Sequence, residues 1–135
     1  MQEHHLFEYA VIRIVPQVER EEFINTGVIL YCAGKKFLKA MYTVDAARLN
    51  AFSCKLDTEE VNAYLEAFGR ICVGADDEAG AIGKLPVGER FRWLTATRST
   101  VVQTSKVHPG FCTDPAEMLV HLFNQLVLIN GSMAQ

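Results

Sequence analysis

The chain has 135 residues, of which 50% are hydrophobic and 21% are charged, and its formal net charge is −3. These values are typical of a globular domain that buries its own core, and they exclude a disordered chain. The acidic balance argues against a chain-wide electrostatic grip on nucleic acid or on an anionic membrane. A local basic patch stays compatible with it, because binding depends on where the charges lie.

Targeting signals and metal-binding spacings are missing from the pattern. Residues 1–5 are polar and lack the regions of a signal peptide, and no apolar run approaches the roughly 20 residues of a membrane span. The cysteines have neither Cys-x-x-Cys nor zinc-finger spacing; they are Cys32, Cys54, Cys72 and Cys112. We therefore expect a cytoplasmic protein with cysteines in its core, without a membrane segment, a metal or a cofactor.

Three strands are predicted in the first third of the chain. Residues 6–15 are β-branched and aromatic, and their near-continuous apolarity predicts a strand buried on both faces. Residues 17–23 are charged and predict a turn or a short helix. Two further strands, at 28–32 and 35–42, are joined by a short glycine-containing link, which is typical of a hairpin. The lysines of the last strand mark it as an outer strand.

Two helices are predicted next. Asp45 can cap a short helix that runs through Phe52, and Asp57 with Glu60 forms a capping box for a longer one, with Thr58 as a competing cap. Apolar residues then recur at steps of three and four, which predicts one buried helix face. These residues are Val61, Tyr64, Leu65, Phe68, Ile71 and Cys72.

The remainder of the chain gives weaker signals until its last helix. Residues 74–88 contain four glycines and predict a loop, while residues 91–96 and 100–107 predict strands. Asp114, followed by a proline, has the features of a helix start, and the Asn-Gly pair at 130–131 is expected to end that helix.

The order of these elements favours one α+β domain over residues 1–135, with flexible ends at 1–5 and 131–135. We expect a largely antiparallel β-sheet of about four or five strands, packed against about three helices that lie on one side. A small open barrel is the alternative fold.

The glycine-rich loop does not match a nucleotide-binding motif. Gly83 and Lys84 resemble the end of a P-loop, but Glu78 stands where its first glycine is required and Leu85 replaces the Ser or Thr. The adjacent acids at 76–78 lack the alternating spacing of a calcium loop. We therefore expect a solvated connector that holds no metal.

The stretch 98–108 is the most polar strand-like segment, and its charged, amide and imidazole groups could line a cleft and bind an anion. These candidates are Arg98, Gln103, Lys106 and His108. Arg13 adds to them because it interrupts an apolar strand and needs a carboxylate, a carbonyl or a bound anion. The alternatives are an edge strand with a polar solvent face and a structural salt bridge from Arg13.

Catalytic residues cannot be assigned from the sequence. His108 is a candidate for a general base, with Arg98 to stabilise a developing anion, but no nucleophile elbow accompanies them. Trp93 could stack on a nucleic-acid base. A single tryptophan in a predicted strand is more typical of a core position.

Five segments spread over the chain together form a recognisable pattern. They are 9–13, 22–31, 89–96, 98–103 and 107–110. The pattern resembles a bacterial family labelled domain of unknown function 3037, and the resemblance covers nearly the whole chain. Thr97 and Lys106 depart from it, since proline is more usual at both positions.

The resemblance implies no activity, cofactor or substrate, but it has implications for partners and for the site. It associates the family with genes beside HipA-like serine/threonine kinases, which implies an accessory role beside a kinase-like protein partner. The polar positions that match the family pattern are carried over as site candidates; they are Arg13, Asn25, Arg98, Gln103 and His108.

Three hypotheses about function follow. The favoured one is a non-catalytic accessory or binding module that docks a protein partner through residues 89–110. The second is a phosphate or nucleic-acid binder in which Arg13, Arg98, Lys106 and His108 converge on phosphate, although the acidic balance makes nucleic acid the less expected ligand. The third is an enzyme with a His/Arg site.

Overall fold

A computed structural model describes residues 3–52, 56–74, 80–98 and 100–128. Within these ranges the chain forms a five-stranded sheet and four α-helices. The strands are β1 (His5–Ile14), β2 (Ile24–Cys32), β3 (Phe37–Tyr42), β4 (Val102–Thr104) and β5 (His108–Cys112). The helices are α1 (Ala46–Phe52), α2 (Thr58–Val73), α3 (Val87–Leu94) and α4 (Pro115–Leu126). None of the described helices has the length and apolarity needed to cross a lipid bilayer.

The sheet is antiparallel throughout, in the order β3-β2-β1-β4, and β5 also pairs with β1. β4 and β5 lie end to end along the same edge of β1. Thr104 is opposite Ile12 and His108 is opposite Tyr9, so three residues between them face only two residues of β1. This extra residue is a bulge that splits one edge strand into two.

The predicted hairpin is confirmed. β2 and β3 are joined by a 3-10 turn at Ala33–Lys35, and Lys36 follows in the left-handed conformation with φ of 51°. β3 is the outer strand of the sheet, as its lysines indicated. Gly27 allows the two strands to approach closely, because a Cβ atom there would lie 2.5 Å from the Met41 carbonyl oxygen.

The α+β prediction is confirmed, but helices cover both faces of the sheet rather than one side. On the first face, which we call the α2 face, Ile12 and Ile29 of the sheet pack with Leu49, Leu65 and Phe91 from α1, α2 and α3. On the second, which we call the α4 face, Phe7, Val28 and Leu30 pack with α4. The near-continuous apolar runs of β1 and β2 require this cover, because successive side chains point to opposite faces.

The helix caps are where the sequence placed them. Asp45 accepts the Arg48 N–H at the start of α1. Asp57 caps α2 by accepting the N–H groups of Glu59 and Glu60, and Asp114 does the same for α4, where Pro115 is the first residue. α4 ends at Leu126, whereas the predicted stop at 130–131 lies outside the described residues.

The predicted strand at 91–96 is wrong, since this segment belongs to α3, and the predicted loop at 74–88 gives way to that helix at Val87. Pro86 precedes α3, and Phe91 and Leu94, three residues apart, form its buried face. The ring of Phe91 stacks on Tyr31 of β2, with 5.2 Å between the ring centroids. Burial on the sheet therefore overrides the strand propensity of an aromatic-rich segment. The acids at 76–78 lie outside the described residues.

Candidate functional site

An apolar cleft of about 290 Å³ opens on the α2 face, between α2, α3 and β4. We call it the α2–α3–β4 cleft. Its walls are Tyr64, Ala67, Phe68 and Ile71 of α2, Trp93 and Leu94 of α3, Arg98 and Thr100 after α3, and Val102, Gln103 and Thr104 of β4. The cleft therefore lies largely within the segment 89–110 that the sequence singled out.

Two aromatic side chains stand at the mouth of this cleft above a buried floor. Phe68 and Leu94 are almost fully buried, whereas Tyr64 is 48% exposed and Trp93 is 41% exposed. Tyr64, Phe68 and Ile71 lie four and three residues apart, so they share one face of α2. Tryptophan and tyrosine are enriched at protein interfaces, so this half-exposed pair beside an apolar depression makes the cleft a candidate binding surface.

Arg98 fixes one wall of the cleft. Its guanidinium carbon lies 4.3 Å from the centroid of the Trp93 ring. The same guanidinium donates to the carbonyl oxygens of Leu94, at 3.2 Å, and of Trp93. A cation at the last carbonyls of a helix is electrostatically favourable, so Arg98 caps α3 and holds the tryptophan in place.

A second, more polar cleft of about 260 Å³ adjoins the first and shares Tyr64 with it. It lies between the start of α2 and the residues that flank β1 and β4, and it is lined by Pro16, Gln17, Leu56, Asp57, Glu60, Val61, Tyr64 and Val101. Asp57 and Glu60 are exposed acids, so this end of the joint surface carries negative charge.

β4 is an edge strand beside the first cleft, and it turns the backbone groups of alternate residues away from β1. Val15 donates its N–H to the Val101 carbonyl at 2.6 Å, and Ser105 donates to the Val11 carbonyl at 2.8 Å. Backbone hydrogen bonds alternate along an antiparallel strand. The backbone N–H and C=O groups of Val101, Gln103 and Ser105 therefore point toward β1, whereas those of Val102 and Thr104 point away from it. The Val102 carbonyl accepts the Thr100 hydroxyl at 2.7 Å.

Arg13 and Asn25 lie side by side on the α4 face. An extra residue in β2, Thr26, brings Asn25 opposite Arg13. The Asn25 amide donates to the Leu126 carbonyl oxygen at the end of α4, at 3.1 Å. The Arg13 guanidinium lies 4.0 Å from the centre of the Phe23 ring, and no described group bonds its buried Nε atom or the buried Oδ1 of Asn25.

The remaining candidates are distributed along the edge strand. Gln103 is opposite Arg13, and its side-chain amide donates to the Thr100 carbonyl oxygen at 2.8 Å. Lys106 is exposed in the bulge, and His108 is exposed beside Tyr9, with ring centroids 5.3 Å apart. The structure thus brings Arg13, Asn25 and Gln103 into one row across the sheet. It places Arg98 on the opposite face.

Arg92 and Glu8 form an ion pair, and Cys72 is buried in the core of the α2 face, but none of the three lines either cleft. Arg92 of α3 makes two hydrogen bonds to Glu8 of β1, at 2.8 and 2.9 Å, and these bonds raise the pKa of Arg92. Burial raises the pKa of the Cys72 thiol to about 12, although the charge of Arg90 acts in the opposite direction. The α2 face therefore offers no thiolate at neutral pH among its described residues.

The sequence identified the segment that carries the cleft but misplaced two of its residues. Trp93 was expected in the core and Tyr64 on the buried face of α2, yet both are half-exposed. The sequence signal that could have placed Trp93 is the spacing of Phe91 and Leu94. If 87–94 is a helix and these two residues face the sheet, Trp93 points away from it. The part that Tyr64 plays depends on the packing of α2 against α3 and β4, which no local pattern records.

A family model described as a protein of unknown function (DUF3037) matches residues 9–127 of the chain. The matched range includes every residue that lines the two clefts, and it also includes Arg13, Asn25 and Gln103. No significant match to the chain was found among curated proteins or among solved structures.

Proposed function

We propose that this chain, which belongs to the DUF3037 family, is a non-catalytic accessory module that docks a protein partner through the α2–α3–β4 cleft. The observation that carries this proposal is an apolar depression of about 290 Å³ with a half-exposed tryptophan and tyrosine at its mouth. Interface hot spots are typically buried aromatic and apolar anchors surrounded by polar groups, which is the composition of this surface.

The positions of the polar candidates favour a binding role over catalysis. A general base at His108 and an anion-stabilising Arg98 would have to reach the same substrate atoms. His108 pairs with Tyr9 on the α4 face, whereas Arg98 borders a cleft on the α2 face and its guanidinium already donates to two carbonyl oxygens. A base and an oxyanion donor separated by a sheet do not form one reaction centre.

The same separation counts against a phosphate site built from both arginines. Arg13 is opposite Asn25 beneath the end of α4, so one phosphate group would not contact Arg13 and Arg98 together. A protein partner needs no such convergence. The first partner to test is a HipA-like kinase, which the family resemblance implies, and both proteins would meet in the cytoplasm.

The experiment compares two aromatic truncations in a binding assay with such a kinase. Trp93→Ala removes the aromatic side chain at the cleft, and Phe111→Ala removes a more exposed aromatic side chain, 69% accessible, from β5. Hot-spot truncation costs about 2 kcal/mol or more, which is a loss of affinity of about thirtyfold. We expect this loss for Trp93→Ala, and unchanged affinity for Phe111→Ala.

Circular dichroism and thermal unfolding of both variants provide the folding control. Equal affinity of the wild type and the Trp93→Ala variant, with both folded, would contradict docking through this cleft. The same assay should include Tyr64→Ala, because Tyr64 borders both clefts and its truncation is expected to weaken binding as well.

A further inference from the structure

We infer that the partner supplies an extended segment that adds to the open edge of β4 as a further antiparallel or parallel strand. This segment inserts an apolar side chain into the α2–α3–β4 cleft and places a lysine or arginine beside Asp57 and Glu60. The inference rests on the proposed docking function and specifies the form of the docked element.

The first support is the backbone of β4. Val102 and Thr104 direct their backbone groups away from β1, as the bonds from Val15 to Val101 and from Ser105 to Val11 establish. Both residues also border the cleft. A groove between an edge strand and a helix is the geometry in which protein modules accept a peptide by strand addition.

The second support is that the other edges of this sheet carry features that discourage strand addition. Along β5 the same alternation turns Pro109, opposite Glu8, to the outside, and proline has no N–H to donate. The outer strand β3 carries exposed Lys39, and exposed Lys35 and Lys36 precede it. β4 itself carries neither a proline nor a lysine, and the exposed Lys106 lies beyond its end in the bulge. Among the described edges, the one beside the cleft is therefore the least protected, with only the Val102 carbonyl already bonded, by the exposed Thr100 hydroxyl.

The third support is the spacing and sign of the groups around the groove. Side chains of an added strand alternate, so every second residue, roughly 6.6 Å apart, points toward the α2 face. One such residue reaches the apolar cleft, between Tyr64 and Trp93. Toward Val101 the groove continues into the second cleft, where the exposed acids Asp57 and Glu60 favour a basic side chain.

The inference is tested by selecting short random peptides displayed on phage against the full wild-type chain, with counter-selection against the Trp93→Ala variant. We expect enriched peptides in which apolar residues alternate with polar ones and a lysine or arginine flanks them. Enrichment of a helical three- and four-residue spacing, or of a proline-rich pattern, would overturn strand addition while leaving docking at the cleft intact. Failure to enrich any peptide would also count against an extended segment.

A backbone N-methyl scan of the best synthetic peptide then tests the pairing itself. Methylation of alternate amides removes the donors that face β4 and should reduce affinity about tenfold or more, whereas methylation of the intervening amides should change it little. Equal effects at all positions would contradict a paired strand. This outcome would leave the kinase-binding test of the Trp93→Ala variant unaffected, so the two proposals can fail separately.

A charge variant tests the basic flank. Glu60→Gln should weaken the lysine-containing peptide several-fold, and the effect should disappear when that lysine is replaced by glutamine. Glu117→Gln is the matched control, because Glu117 is an exposed acid in the first turn of α4, away from the groove. Equal binding by the wild type and the Glu60→Gln variant would remove the basic residue from the proposed segment.

Discussion

Cys72 shows how burial fixes the chemistry of a single residue. Its side chain is 4% exposed in the core of the α2 face, where a thiolate would lose its hydration. The pKa of this thiol is therefore raised to about 12 from a usual 9.0. The sequence predicted core cysteines from their spacing, and the structure confirms this for Cys32, Cys72 and Cys112, whereas Cys54 lies outside the described residues.

The raised pKa predicts how stability changes in alkali. Above pH 9 the unfolded chain loses the Cys72 proton while the folded chain keeps it, so stability falls as pH rises toward 12. The slope from this group approaches about 1.4 kcal/mol per pH unit. We expect the free energy of unfolding of the wild type to decline more steeply between pH 9 and 10.5, on the order of 1 kcal/mol or more, than that of Cys72→Ala.

Urea unfolding at several pH values, with a reducing agent present, measures this difference. Cys72→Ala is also expected to be less stable at pH 7 because it removes buried atoms, so the comparison concerns the slopes and not the absolute values. Parallel slopes for the two proteins would show that the thiol ionises equally in the folded and unfolded states.

Among the elements, the divided edge strand depends on one hydroxyl group. Ser105 lies in the bulge between β4 and β5, is 8% exposed, and accepts the Val11 N–H with its hydroxyl oxygen at 2.8 Å. Its own N–H donates to the Val11 carbonyl oxygen at 2.8 Å. The side chain thus replaces the carbonyl that an unbroken strand would offer, which lets the chain accommodate the extra residue.

Loss of this hydroxyl should destabilise the protein. Ser105→Ala leaves the buried Val11 N–H without its acceptor, which costs about 1–3 kcal/mol. Thr100→Val is the matched control, because the Thr100 hydroxyl makes an exposed bond to the Val102 carbonyl oxygen and its loss should cost less than about 1 kcal/mol. Urea unfolding compares the two variants, and an equal effect would show that water replaces the Ser105 hydroxyl.

The elements differ in how well the sequence predicts them. β1, β2, α2 and α4 follow from local patterns, since a run of apolar residues or a capped helical period is complete within each segment. The strand predicted at 100–107 is only partly correct, because it ends at Thr104 and resumes as β5 at His108. That break depends on the register with β1, which a single sequence does not record.

At the scale of the whole molecule, two apolar clusters share one sheet. β1 and β2 contribute alternate residues to the α2 face and to the α4 face. Each cluster covers one side of the same strands, so the loss of either cluster would expose apolar side chains of β1 and β2. The prediction that the helices lie on one side of the sheet was wrong for this reason, since a sheet with two apolar faces needs cover on both.

This shared sheet predicts a single cooperative unfolding transition. Leu65→Ala in α2 and Leu119→Ala in α4 remove fully buried side chains on opposite faces, and each should destabilise by about 2–5 kcal/mol. Trp93 fluorescence reports on the α2 face and far-ultraviolet circular dichroism on all elements. We expect both signals to shift together in both variants. A fluorescence transition with the same midpoint in the wild type and in the Leu119→Ala variant would show that the two faces unfold independently.

The candidate site could be predicted only in part. The pattern around residues 89–110 singled out the segment that supplies most of the residues lining the α2–α3–β4 cleft, because its polar and aromatic residues stand out locally. Whether Arg13 and Arg98 lie close together depends on strand register and on which face each helix covers. A single sequence records neither, so it could not show that the two arginines lie on opposite faces of the sheet. The contribution of α2 to the cleft is a property of tertiary packing alone.

The shortness of β4 limits what the open edge can build. β4 is only three residues long, and the bulge and then Pro109 follow it along the same edge of β1. An edge strand of this length can pair with one short added segment, but it is too short to start a series of added strands. A segment that adds to this edge would therefore pair with three residues only.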